Sequence, residues 1–197
     1  MTSLVAAVGL GILLGIVTQL LQGILPGALA WIANALSGWL LAAYLFGSRM
    51  PTPRVAAAAS TVMLMAALAG YYATVQVRFG YGTNGPILMF WGLGSVAGGL
   101  VFGSAGWWWR HGRPRARAAA TGLVAALFVA EGIYFLLILP DATVGLGAIV
   151  AGLVMPAVLG RDRRERGWGY VATLPGLALG AVGYAATLVV YGVLTGG

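Results

Sequence analysis

The 197-residue chain is 60% hydrophobic and 8% charged, with no cysteine, one histidine, a formal net charge of +7 and a mean hydropathy of +0.94. That balance excludes a water-soluble globular domain, and a lone His111 without any Cys excludes zinc fingers, iron–sulfur clusters, disulfide scaffolds and Cys/His nucleophile systems. All 11 basic residues are Arg, so a Schiff base has no lysine to form on, and neither a metal nor a cofactor is expected.

A hydrocarbon core of about 30 Å takes roughly 20 apolar residues per helical pass. Apolar runs broken by Pro, Gly or charge fall at 4–25, 28–48, 54–75, 86–108, 117–139, 143–160 and 170–194. The expectation is an all-α polytopic bundle of seven transmembrane helices, forming one domain over 1–197. The first run competes with a signal peptide, because Ala28-Leu29-Ala30 resembles a cleavage site. It has no charged leader and is too long an apolar stretch for one, so it reads as a helix. Pro26-Gly27 turns the chain into the second run. The third run gives way to a Gly-rich loop, Arg78 to Gly85 (RFGYGTNG), and the fourth ends in Trp107-Trp108-Trp109. Pro140-Asp141 separates the fifth and sixth runs. Gly11 and Gly15 in the first run, and Gly94, Gly98, Gly99, Gly103 and Gly106 in the fourth, are spaced for close helix packing. The same faces would suit a second copy or a partner membrane subunit.

Basic loops stay cytoplasmic. Arg49, Arg54, Arg110, Arg113, Arg115, Arg117, Arg161, Arg163, Arg164 and Arg166 all fall in the second, fourth and sixth connections, and only Arg78 falls on the other side. This places the N-terminus in the cytoplasm and the C-terminus outside, in a multi-pass protein of the plasma membrane. The Trp-rich end of the fourth run and the Arg clusters read as an aromatic belt facing anionic lipid headgroups, not as a nucleic-acid surface.

Two sets of matches recur along the chain. Ile24-Leu25-Pro26 returns as Ile138-Leu139-Pro140 after 114 positions, and Gly70-Tyr71-Tyr72-Ala73-Thr74 returns as Gly183-Tyr184-Ala185-Ala186-Thr187 after 113. Gly47 returns as Gly160 at the latter spacing. Helices one to three thus read as a copy of five to seven, with the fourth as linker: a parallel 3+1+3 repeat. That plan is similar to those of the SWEET sugar facilitators, the nicotinamide-riboside transporters and the trimeric intracellular cation channels. No motif of theirs is present, so the likeness implies a plan and transfers no functional residue. The segments GIVTQLLQGILPG, ANALSGWLLAAYLFG, FGSAGWWWRHGRPR and VAEGIYFLL resemble an uncharacterised family of actinobacterial integral membrane proteins, a domain of unknown function that implies no activity.

Polar side chains inside apolar helices are costly unless they face the bundle or a cavity. Gln19 and Gln22, Trp31 and Asn34, Tyr71 and Thr74, Glu131 and Tyr134, and Tyr184 and Thr187 each lie three residues apart, hence on one helix face. By the topology above, all lie in the outer half of the membrane, alongside Thr18, Tyr72 and Tyr191. These ten paired residues are the candidate ligand-binding set, and Glu131 is the only acid well inside any of the predicted helices. It reads as counter-ion, proton carrier or general acid, or else as an interhelical hydrogen-bond lock. The set points to a small-solute transporter, or the substrate-binding membrane subunit of one, with an outward-facing polar and aromatic pocket for an organic solute. Two alternatives stand beside it: a membrane-embedded cyclase or isomerase using Glu131 as acid, and a structural or regulatory subunit. No Gly-rich stretch follows a strand or carries a P-loop Lys, so nucleotide binding is not expected.

Overall fold

The computed structural model describes residues 2–33, 35–80, 84–138 and 142–195. Among them the regular elements are all helices: α1 Thr2–Ile24, α2 Ala28–Ala33, α3 Leu36–Gly47, α4 Pro53–Phe79, α5 Gly85–His111, α6 Pro114–Leu137, α7 Ala142–Leu159 and α8 Arg163–Thr195. α1 and α4 to α8 are long and apolar enough to cross a membrane, which makes the chain an all-α membrane protein. The expected helix at 28–48 is split into α2 and α3, with Ala35 extended at φ −61° and ψ 131°.

Two other helix ends differ from expectation by four residues or more, and each has a local cause. α4 runs on through Arg78 and stops at Gly80, whose φ of 66° is the left-handed conformation that glycine adopts without steric penalty. α8 begins at Arg163 instead of Tyr170, because Asp162 Oδ1 accepts from the Glu165 N–H at 2.8 Å and caps the helix. The start of α4 is equally specified: Pro53 opens the helix and Thr52 Oγ1 accepts from the Val55 N–H at 3.2 Å.

The chain divides into two compact units, residues 1–107 and 108–197. In the first, α1 packs along α4 through its small residues. Gly11 lies against the Met63 carbonyl and Ala66, and Gly15 against the backbone of Ala67 and Tyr71, so closely that neither site has room for a Cβ. Within the same unit, Gly99, Gly103 and Gly106 of α5 meet Thr61, Ser60 and Tyr44, whereas Gly94 meets nothing. Ser60 Oγ, fully buried, donates to the Ala43 carbonyl at 3.0 Å and ties α4 to α3.

In the second unit α6 is the central helix, with α7 and α8 each packed on it. Gly132 of α6 meets the Gly145 carbonyl and Gly152 of α7 meets the Ala125 carbonyl. Toward α8, Gly176 and Gly180 lie on Ala126 and Ala130. Subtracting the 113-residue spacing puts Gly176 and Gly180 on Met63 and Ala67, the α4 positions against which Gly11 and Gly15 pack. In both units the first helix of the sequence repeat therefore packs on the third in nearly the same register. At these positions the glycines stand on α1 in the first unit and on α8 in the second, while each seam also has a glycine on its other helix, Gly70 of α4 against Ile12 and Gly122 of α6 against Ala172. Outside these seams the helices present apolar side chains, as Leu174, Leu179, Val182 and Val189 do on α8, which suits contact with lipid.

Candidate functional site

The second unit assembles three of the expected site residues. Glu131 on α6 is 3% exposed, although a carboxyl at that depth in an apolar helix costs a few kcal/mol without a partner. Its partner comes from α8: the Tyr184 hydroxyl donates to Glu131 Oε1 at 3.2 Å. Tyr134, one helical turn after Glu131, lays its ring on that of Tyr184 with centroids 4.8 Å apart and planes 23° from parallel. The close Gly180–Ala130 seam brings the two backbones near enough for this contact. The result is an acid held beside two stacked phenol rings, a set that can accept hydrogen bonds and attract a cation to its π-faces. Thr187 lies outside it chemically, because its hydroxyl donates to the Gly183 carbonyl one turn back at 2.9 Å.

The first unit carries a second polar group. Gln19 is buried on α1, and its Oε1 accepts from Arg78 Nη1 at 3.0 Å. The Arg78 guanidinium lies over Gly23 and stands 5.2 Å from the Phe79 ring centroid. Tyr71 is half-buried, edge-on to Trp39 at 6.1 Å and to Tyr72 at 5.4 Å. The indole N–H of Trp39 is buried without an acceptor among the described residues. Thr74 donates to the Gly70 carbonyl at 2.7 Å, and Gln22 is half-buried one turn beyond Gln19. Asn34 and the side chain of Trp31 lie outside the described residues.

A family model covers residues 1–190. The chain belongs to DUF6518, a family of unknown function. No curated protein and no solved structure matches this DUF6518 chain. Among the described residues no three His, Cys, Asp or Glu side chains stand close enough to hold a metal ion.

The DUF6518 structure also contains polar residues that the sequence pattern did not select. Arg78 continues the stripe of Tyr71 and Thr74 at seven and four residues' distance, a signal readable only once α4 extends to Phe79. Glu165 is buried at the other end of the second unit, where Oε1 receives Arg117 Nε at 2.6 Å and also Arg117 Nη2, and Oε2 receives the Arg161 N–H at 3.1 Å. Arg161 Nη2 reaches the Arg110 carbonyl at 2.9 Å, Arg166 Nε the Gly160 carbonyl at 3.1 Å, and Trp109 Nε1 the Leu159 carbonyl at 3.1 Å. Three arginines of the expected headgroup-facing cluster thus hold the chain to itself. An Asp with a Glu three residues on, as in Asp162 and Glu165, is the sequence signal for this helix start.

Proposed function

We propose that this membrane protein binds a small organic solute within its helices and carries it across the membrane, with Glu131 as the charged contact and the Tyr134 and Tyr184 rings as the aromatic one. The observation that carries the reading is the buried Glu131 carboxyl, hydrogen-bonded by Tyr184 and flanked by the stacked Tyr134 ring. Ionisable groups inside membrane helices mark solute and ion pathways by default. An ionised carboxylate only accepts hydrogen bonds, and tyrosine faces attract positive charge, so the favoured solute is cationic or rich in N–H donors. The interruption between α2 and α3 adds support, since broken helices line the binding sites of many transporters.

The test is a thermal-shift screen of the purified protein against tetramethylammonium, choline, primary amines, aromatic amino acids, nucleosides and sugars. A bound compound at about a hundred times its Kd stabilises by about 2.7 kcal/mol. The reading expects such stabilisation from cationic or donor-rich compounds and its loss in a folded Glu131→Gln protein. A second reading rests on the same bond, because Tyr184 to Glu131 joins α8 to α6. If the bond is only an interhelical lock, Gln is tolerated everywhere and Leu lowers stability. A panel in which no compound binds, or in which Gln binds as the wild type does, sides with the lock.

A further inference from the structure

We propose that the first turns of α8 form a binding site for a single anionic phospholipid, with Arg163 and Arg164 on the headgroup phosphate and Trp168 and Val171 along the start of an acyl chain. Of the arginines around this helix start, Arg117, Arg161 and Arg166 are held by Glu165 or by backbone carbonyls. Arg163 and Arg164 are exposed and make no such bond among the described residues. Together with Gly167, Trp168 and Val171 they line a shallow groove of about 360 Å³. Gly167 has open space where a Cβ would stand, which leaves the floor of the groove clear between the guanidinium groups and the indole.

The order of chemistry along the groove selects the occupant. Two unpaired guanidinium groups, suited to bidentate contact with phosphate oxygens, stand at one end. Trp168, 51% exposed, follows at the level where indole rings favour the headgroup boundary, and Val171 and Leu174 continue the line as exposed apolar side chains. The nearest acid on this turn, Asp162, has one carboxylate oxygen engaged in capping the helix, and Glu165 is paired with Arg117. Two unpaired positive charges leading into an apolar strip complement a lipid that carries phosphate and tail in one molecule, where a free anion would use only the upper end.

Full-length protein in neutral maltoside detergent is analysed by native mass spectrometry with phosphatidylglycerol, phosphatidylcholine of the same chain length, and glycerol 3-phosphate. Phosphatidylglycerol is expected to bind and phosphatidylcholine to bind far more weakly. Arg163→Gln/Arg164→Gln lowers phosphatidylglycerol affinity roughly thirtyfold, the effect of two basic side chains near an anionic surface. The equally exposed pair Arg113→Gln/Arg115→Gln, which removes the same charge elsewhere, changes it less than about twofold, and excess glycerol 3-phosphate fails to displace the lipid from the wild-type protein. Equal loss in the two double variants, or no preference over phosphatidylcholine, overturns the site. Displacement by glycerol 3-phosphate overturns the lipid as its occupant. Far-UV circular dichroism confirms that each variant is folded, and the competition on wild-type protein decides the matter if one is not.

Discussion

Replacing Glu165 by Ala removes the acid on which three chain segments converge at the start of α8. Both carboxylate oxygens are in use, one by Arg117 and one by the Arg161 N–H, and among the described residues Arg117 keeps only the Gly112 carbonyl at 3.0 Å once the acid is gone. Breaking a fully buried pair costs about 3–5 kcal/mol. The Arg117 side chain is 18% exposed, which places this pair at the low end of that range, and loss of the acceptor for Arg161 adds about 1 kcal/mol. The expected destabilisation is about 3–4 kcal/mol, measured by reversible denaturant unfolding in detergent micelles with far-UV circular dichroism. The double variant Arg117→Met/Glu165→Leu, which removes both charges together, is expected to recover all but about 1 kcal/mol. Arg115→Ala, exposed and uninvolved, stays within about 0.5 kcal/mol of wild type. A cost below about 1 kcal/mol for Glu165→Ala would make the pair no stronger than a solvent-screened surface contact and contradict its role in bracing this turn.

Gly15→Val forces a branched side chain into the backbone of Ala67 and Tyr71 and is expected to lower stability by about 1–3 kcal/mol or to prevent folding, while Gly9→Ala, which meets nothing, is neutral or mildly stabilising in the same assay. Tyr184→Phe keeps the stack on Tyr134 but removes the bond to Glu131, with an expected stability loss of about 0.5–2 kcal/mol in unfolding experiments. The chain has no cysteine, so single replacements report topology directly. Asn84→Cys is expected to react with an impermeant maleimide on intact cells and Arg115→Cys only after permeabilisation, and the reverse pattern would invert the membrane orientation inferred from the arginines.

The helices were legible because about 20 apolar residues between breaks leave few other structures in a membrane. The Glu131, Tyr134 and Tyr184 cluster was legible for a related reason: an acid deep in an apolar run needs a hydrogen-bond donor, and few neighbouring residues offer one. The break between α2 and α3 was not legible, since ANALSG carries no proline and Ala35 alone gives no reason for an extended backbone. The extensions of α4 and α8 were hidden by their charges. By composition Arg78 belongs with the Gly-rich loop and RRER with a basic connection facing lipid headgroups, although Asp162 and Glu165 cap and brace that turn. The helix-pairing register was half legible. The repeat spacing marks the positions, while the glycines at them stand on the first helix in one unit and on the third in the other, which conceals the likeness from residue-by-residue comparison.

Carriage of a solute past Glu131 is tested by charge displacement on a solid-supported membrane, recorded from proteoliposomes during rapid addition of the cationic, zwitterionic and neutral solutes of the binding screen. Wild-type protein is expected to give a saturable transient for at least one cationic solute, lost with folded Glu131→Gln protein in liposomes of the same lipid composition. Equal transients from wild type and Glu131→Gln, or no transient from any solute with protein shown to be folded and inserted, would contradict such carriage.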